Sequence, residues 1–412
     1  MEKEIRLPSD KSNPNLVEKV TQSILGVDVF NQSTIEKSIS FYKLALYSKG
    51  LAEFIKDKEH KIIDFKYGES YVPAVYEVLE TKRDTTERLI ISGYILVPGE
   101  HPVVLHYYPS MCCQVLKVYC KTSDVSYVEN FLKDLDTYVS VNNYYKNEKI
   151  TPLGKFLPIS TLTKDDVILD PEIYKRIDDT VFNFFNHKDK FKTANIPFKR
   201  GVIFSGLPGT GKTLSGKIIM NYLKDITFIW VTARDFDNLP TSYLFDMARE
   251  LQPAVLFIED VDACLRGSTL DNIKTQMDGL ESNEGILTIL STNFPNQLPK
   301  TLIDRPGRFD DVIEFELPNE NIRYQILSYY SKTLNIENKE NCLHEISQLS
   351  AGLTPSHLKE VIVSSFMSKN SEEVITIEDL KKALERLKGL HNKFKEMNTD
   401  EKFFKYIINK KL

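Results

Sequence analysis

The stretch Gly206-Leu207-Pro208-Gly209-Thr210-Gly211-Lys212-Thr213 constrains this chain more than any other feature of it. It is a complete G-x-x-x-x-G-K-T. It follows the run Arg200-Gly201-Val202-Ile203-Phe204-Ser205, which reads as a strand, and precedes a helical pattern. The chemistry needs that context. Residues without a Cβ let backbone N–H groups close on phosphate oxygens, and a helix N-terminus adds a favourable dipole. Lys212 would meet the β- and γ-phosphates, the Thr213 hydroxyl would ligate Mg²⁺, and Leu214 completes the nucleotide-binding run. A glycine-rich turn alone would mean little. Set between a strand and a helix, it commits this part of the chain to a parallel sheet that binds a nucleoside triphosphate.

Around the loop the apolar pattern alternates. A helix is expected at Pro171 to Asn186, then strands at Gly201 to Ser205, Ile226 to Val231, Ala254 to Ile258 and Ile286 to Ser291, with helices after Thr213 and at Ser242 to Glu250. Beyond Pro318 amphipathic segments take over. One is capped at Thr376 with Asp379 three residues on, which predicts a helical lid to about Leu387. Before Asp165 the signals differ. Residues 11 to 57 carry helix-like spacing, with Ile35, Ile39, Leu44 and Leu46 after a Ser33-Thr34 cap, and predict two short helices. Short Ile-, Val- and Tyr-rich runs then predict a sheet, at Ile62 to Tyr67, Tyr71 to Leu79, Leu89 to Val97, Val103 to Tyr108 and Val115 to Tyr119. A helix at Tyr127 to Tyr138 and a turn at Thr151-Pro152-Leu153-Gly154 close that part.

At 412 residues the chain exceeds what one hydrophobic core usually serves, so several domains are expected. They divide as an α+β amino-terminal domain at 1–160 that binds substrate or partner, a nucleotide-binding core at 161–318, a lid at 319–388 and a basic tail at 389–412. The net charge of −5 gives no global pull toward nucleic acid, which is left open as a partner. The tail, with Lys393, Lys395, Lys402, Lys405, Lys410 and Lys411 among aromatic residues, reads as a docking helix or a solvated end. The five cysteines show no C-x-x-C pair and no His at zinc-ligand spacing, so they read as reduced thiols in an intracellular, cytoplasmic protein. No export signal is read in Met1 to Arg6, and no apolar run approaches the roughly 20 residues that a membrane span needs.

About fifty residues after the loop, the apolar run Val255-Leu256-Phe257-Ile258 ends in Glu259-Asp260. Acids at the carboxyl end of a parallel strand face a bound nucleotide. Glu259 would hold the Mg²⁺ water shell, and Asp260 would polarise the attacking water. The order reverses the usual Asp-Glu and moves each carboxylate by about one methylene, so slow hydrolysis is one expectation.

With these motifs in order, the chain resembles the AAA ATPases from about Asp165 to Met367. Met277-Asp278-Gly279-Leu280 is similar to the inter-subunit signalling turn of that family, and Ser291-Thr292-Asn293 to its sensor 1, where Asn293 would orient the lytic water. Asp304-Arg305-Pro306-Gly307-Arg308-Phe309-Asp310 resembles its arginine-finger segment, so Arg305 and Arg308 would enter a neighbouring subunit's site. By the same resemblance Val167 and Ile168 would pack on adenine, with Gly352 to Ser356 facing the base from the lid. Val167-Ile168-Leu169-Asp170-Pro171, Arg200-Gly201 and the Glu259-Asp260 order are most similar to the mitochondrial Rieske-protein translocases and their soluble bacterial relatives. Those translocases carry an amino-terminal membrane helix that is not read here, so neither membrane residence nor their substrate is carried over.

The resemblance implies an α/β fold. A P-loop NTPase parallel sheet is wrapped by helices, carries a C-terminal helical lid and follows a smaller α+β domain. It implies ATP and Mg²⁺ as cofactors and a homo-oligomeric ring, with a hexamer favoured over a heptamer. Protein-threading members carry an aromatic-hydrophobic-Gly pore loop. Here the corresponding stretch Arg234-Asp235-Phe236-Asp237-Asn238-Leu239-Pro240-Thr241 has no glycine and is shorter, so Phe236 reads as core and axial threading is disfavoured. The leading expectation is an ATPase that remodels or chaperones protein partners. The alternatives are a DNA-associated AAA protein, such as a loader or replication accessory factor, and a slow-turnover nucleotide-dependent scaffold.

Overall fold

The computed structural model describes residues 5–6, 21–22, 24–27, 31–63, 65–67, 70–110, 113–264, 269–278, 283–303, 308–370 and 373–399. The chain divides into two compact units, Met1–Pro158 with Ile226–Ile229, and Ile159–Asp225 with Trp230–Leu412.

The first unit holds strands β1 (Gln32–Ile39), β2 (Lys61–Ile63), β3 (Val75–Lys82), β4 (Thr85–Val97), β5 (Val103–Pro109) and β6 (Gln114–Lys121). Its sheet runs β1-β6-β5-β4-β2, with β3 paired to β4. Helices α1 (Leu44–Phe54) and α2 (Val125–Val141) belong to the same unit, as does a separate three-stranded sheet of Ile5–Arg6, Phe65–Tyr67 and Ser70–Val72. The segment expected to be helical from Ser33 is corrected here. Gln32–Ile39 is a strand, antiparallel to β6 in a register from Gln32↔Lys121 to Ile39↔Gln114. Ile35 and Ile39 are four residues apart, an even spacing that lies on one face of a strand as well as of a helix, and only the β6 partner decides between them.

The second unit is built on strands β7 (Lys199–Ser205), the last two residues of β8 (Thr227–Val231), β9 (Ala254–Ile258), β10 (Ile286–Thr292) and β11 (Asp311–Glu314), in the order β8-β9-β10-β7-β11. β7 pairs in parallel with β10 from Lys199↔Ile286 to Ser205↔Thr292, and β9 pairs with β10 from Ala254↔Ile286 to Ile258↔Leu290. All five residues of β9 are fully buried, as an uninterrupted apolar run becomes when helices cover both faces of a parallel sheet. Around the sheet lie α3 (Pro171–Ile177), α4 (Lys212–Tyr222), α5 (Thr241–Glu250) and α6 (Thr269–Asp278). The helix expected to be continuous to Asn186 widens into a π-turn at Asp178–Phe182. There the Thr180 hydroxyl donates to the Arg176 carbonyl at 2.6 Å, competing with the backbone ladder.

The lid comprises α7 (Glu320–Tyr330), α8 (Lys339–Leu349), α9 (Pro355–Met367) and α10 (Ile377–Thr399), closed over Leu327, Ile346, Leu358, Val361 and Leu380. Asn319 caps α7, and Thr354 caps α9 ahead of Pro355. The cap expected at Thr376 is present, its N–H donating to Asp379 at 2.9 Å. α10 runs on to Thr399, beyond the end expected at Leu387, while residues 400–412 of the basic tail lie outside the described residues. No helix among the described residues is long and apolar enough to cross a membrane. Cys113, Cys120 and Cys342 are free thiols.

Gly216 sets the distance between α4 and the sheet. A Cβ placed there would come within 2.6 Å of the ring of Phe257, itself fully buried. Alanine normally gains up to about 1 kcal/mol over glycine inside a helix, but overpacking a closed core costs about 1–3 kcal/mol. Gly216→Ala should therefore destabilise the unit by about 1–2 kcal/mol, lowering its melting temperature by about 2–8 °C in a thermal scan. A rise would show that α4 can lift off without penalty.

Candidate nucleotide site

Three adjacent strands deliver the site. The chain leaves β7 into the loop 206–211, leaves β9 at Glu259 and leaves β10 at Asn293, so all three groups emerge at the carboxyl edge of the sheet. Lys212 opens α4 and is 5% exposed. Its ammonium donates to the carbonyls of Gly206 at 2.7 Å and Leu207 at 3.1 Å, and to Asn293 Oδ1 at 2.8 Å. Burial pulls its pKa below the usual lysine value, opposed by the charges of Asp260 and Asp262. A site that returns negative charge to this ammonium is what the desolvation calls for.

Asn293 is a two-ended bridge. Its oxygen accepts from Lys212, its Nδ2 donates to Asp260 Oδ1 at 3.2 Å, and its backbone N–H donates to Asp262 Oδ1 at 2.9 Å. A lysine can only donate and a carboxylate can only accept, so the amide has one satisfactory orientation. Asp260 sits in the left-handed region at φ 48° and donates its N–H to the Ser291 hydroxyl at 2.9 Å. Burial raises its carboxyl pKa above the ordinary range, and the nearby charges of Glu259 and Asp262 push the same way. Glu259 is held at both oxygens. Oε1 accepts from the Thr213 hydroxyl at 2.5 Å, and Oε2 accepts from the Trp230 indole N–H at 3.0 Å.

The loop is also gripped from the lid. The Gly209 carbonyl accepts from the backbone N–H and the hydroxyl of Ser356, both at 3.2 Å. Gly209 has φ 80°, and a Cβ there would meet Ser356 at 2.7 Å, so both its backbone conformation and the lid's approach require glycine. Beside the loop, a crevice is lined by Val167, Ile168, Thr210, Gly211, Leu214 and Tyr330. Tyr329 donates its hydroxyl to Asp166. That bond holds the Asp166 carboxyl below its usual pKa and lifts the Tyr329 phenol to about 12.

The family model described as ATPase family associated with various cellular activities (AAA) matches residues 202–317. A 26S proteasome regulatory subunit 8 homolog from Naegleria fowleri is 30% identical over 62% of this chain and 69% of its own length. The chain belongs to the AAA ATPase family. A proteasome-activating nucleotidase from Thermococcus onnurineus is 30% identical over 49% of this chain and 56% of its own. The ATP-dependent zinc metalloprotease FtsH 2 of Petrotoga mobilis is 28% identical, with the chain spanning 39% of its length.

In this AAA ATPase the residues singled out from sequence fall into three groups. Lys212, Asn293 and Asp260 form one hydrogen-bonded set and Thr213 with Glu259 another, the two joined through the neighbouring chain positions 212–213 and 259–260, and Val167, Ile168 and Leu214 line the crevice beside the loop. Arg308 is elsewhere. It is 9% exposed and pairs through two nitrogens with Asp278, at 2.9 Å for Nε, while Nη1 donates to the Thr301 carbonyl. Arg305, Gly279 and Leu280 lie outside the described residues. Phe236 sits in the single helical turn Asp235–Asn238 and is half-buried, between the core position expected and a free surface one.

Sequence reasoning missed Trp230, Asp262 and the Asp166–Tyr329 bond. Asp262 had a signal, as a third acid two residues beyond Glu259-Asp260. Trp230 had a fainter one, being the sole tryptophan and standing at the carboxyl end of a strand. Nothing local signals that Tyr329 meets a residue 163 positions away.

Proposed function

We propose that this AAA ATPase assembles as a homo-oligomeric ring, favouring a hexamer, and couples ATP hydrolysis at subunit interfaces to remodelling of protein partners. The observation that carries the reading is the cluster in which Asn293 joins Lys212 to Asp260 while Glu259 joins Thr213. Lys212 would bind the triphosphate, Asn293 would orient a water, and Asp260 would accept its proton. The names of the relatives, proteasome subunit, proteasome-activating nucleotidase and metalloprotease, support protein clients. The part before residue 161 would bind them, with 161–318 as core and 319–388 as lid.

Mg²⁺ fits the residues present. A hydroxyl and a carboxylate oxygen, both hard donors, meet at 2.5 Å where Thr213 faces Glu259. Among the described residues no group of three or more His, Cys, Asp or Glu could hold a metal alone, so the remaining donors would be phosphate and water oxygens. Thr213 and Glu259 would hold the ion, and when bound it would neutralise charge on the transferring phosphoryl group.

The specific activity should rise with protein concentration as rings form. Turnover that stays at background in assembled rings would exclude a motor and favour the nucleotide-dependent scaffold. Arg308 provides a sharper test. As a finger it would have to leave Asp278 for the neighbouring site, and such arginines are worth about 10³ to 10⁵ in rate. Arg308→Ala should be nearly inactive alone yet regain turnover when mixed with Asp260→Asn subunits, which lack a base but keep the finger. An arginine that only braces its own subunit through Asp278 would give no complementation.

A further inference from the structure

The Glu259-Asp260 order raises a physical problem. A glutamate in the first acidic position carries one more methylene and one more torsion than an aspartate, and every added rotor is freedom that must be removed to aim a carboxylate. On its own it would sample several positions beside Thr213. Here it does not, because both oxygens are taken: Oε1 faces the Thr213 hydroxyl at 2.5 Å and Oε2 faces the Trp230 indole N–H at 3.0 Å.

We propose that Trp230 is a positioning residue, which holds one oxygen of Glu259 so that the other stays turned toward Thr213 and the Mg²⁺ of a bound nucleotide. Indole suits this task because it is a donor only. It can neither take a proton from the carboxylate nor compete with it for a cation. Its own direction is set by packing: Trp230 is 9% exposed, and its ring lies against that of Phe257 with centroids 4.5 Å apart. The strand ends are tied as well, since the Glu259 N–H donates to the Val231 carbonyl at 2.9 Å, one residue beyond Trp230. Backbone and side chain of Glu259 are thus both referred to the end of β8. A partner of this kind beyond a metal's direct ligands typically changes metal affinity by about 10- to 100-fold when removed.

The inference rests on Glu259 acting toward Mg²⁺, and the experiment separates the two. Full-length protein is titrated with Mg²⁺ in the presence of ATPγS, reading the Mg²⁺-dependent gain in nucleotide affinity by calorimetry. The series is wild type, Trp230→Phe, Glu259→Gln and the double variant. Trp230→Phe keeps the ring and loses the donor. It should bind ATPγS without Mg²⁺ as wild type does, and raise the half-saturating Mg²⁺ about 10-fold. In the Glu259→Gln background the same change should add little, because the group it positions is gone.

An unchanged Mg²⁺ requirement in Trp230→Phe, with a large increase in Glu259→Gln, overturns the positioning role and keeps the Glu259 reading. No change in Glu259→Gln overturns the Glu259 reading itself. Since Trp230 is the single tryptophan, wild-type emission is an independent readout that needs no variant. Mg²⁺ added to the ATPγS complex should shift it, and emission indifferent to Mg²⁺ counts against the proposal even if Trp230→Phe fails to fold.

Discussion

Lys212→Ala should lower affinity for ATP by a factor on the order of 10² to 10³. Lys212 is buried, and burial already pulls its pKa down, so the ammonium is held at an energetic cost that a triphosphate would relieve. Removing one partner of a desolvated, hydrogen-bonded charge pair costs about 2–5 kcal/mol, which converts to roughly that range of affinity. The substitution is tolerable for the fold, because alanine is a good residue for the first turn of α4 and the carbonyls of Gly206 and Leu207 lie at a solvent-accessible loop. Calorimetry or a fluorescent ATP analogue would measure the loss. Retained micromolar affinity would mean that the loop does not bind phosphate through this lysine.

Asp260→Asn should behave in the opposite way, keeping nucleotide affinity while turnover falls by about 10² to 10⁴, the usual contribution of a general base. The amide can still accept from Asn293 Nδ2, so the geometry survives and only the proton acceptor is lost. The pKa of Asp260 is raised in the fold, so the folded protein holds that proton more tightly than the unfolded chain does. Ionised Asp260 therefore costs stability above its folded pKa, and this cost is absent below the unfolded value. At neutral pH the neutral variant should consequently melt no lower than wild type. Wild-type turnover should fall as pH is lowered through the raised Asp260 value, because the base is lost there. Undiminished hydrolysis in Asp260→Asn would move the base to another group, with Asp262, on the backbone N–H of Asn293, the first to test.

Both predictions concern residues that could be picked out before any coordinates, because the loop, the acidic strand end and Asn293 are carried by contiguous segments. A phosphate loop needs glycines, a lysine and a threonine in unbroken order, and a buried parallel strand needs an apolar run. Such demands are met within eight residues or fewer and are visible in them. Gln32–Ile39 shows where local reading stops. Its spacing satisfied helix and strand equally, and the ladder to Gln114–Lys121, about eighty residues away, made the choice. The π-turn after Ile177 is similar, since a hydroxyl competing for one carbonyl leaves no trace in hydrophobic periodicity.

The chain's membership of the AAA family, its parallel α/β core and the candidates for its phosphate-binding, acidic and sensor positions were legible in the sequence alone, since each rests on short-range steric and chemical requirements. Tertiary structure decided which groups touch: Asn293 between Lys212 and Asp260, Trp230 on Glu259, Ser356 on the Gly209 carbonyl, Arg308 on Asp278. These pairings depend on strand order and on how the lid closes over the loop. A hydrogen bond acts over about 3 Å of space, and separation along the chain carries no information about that distance.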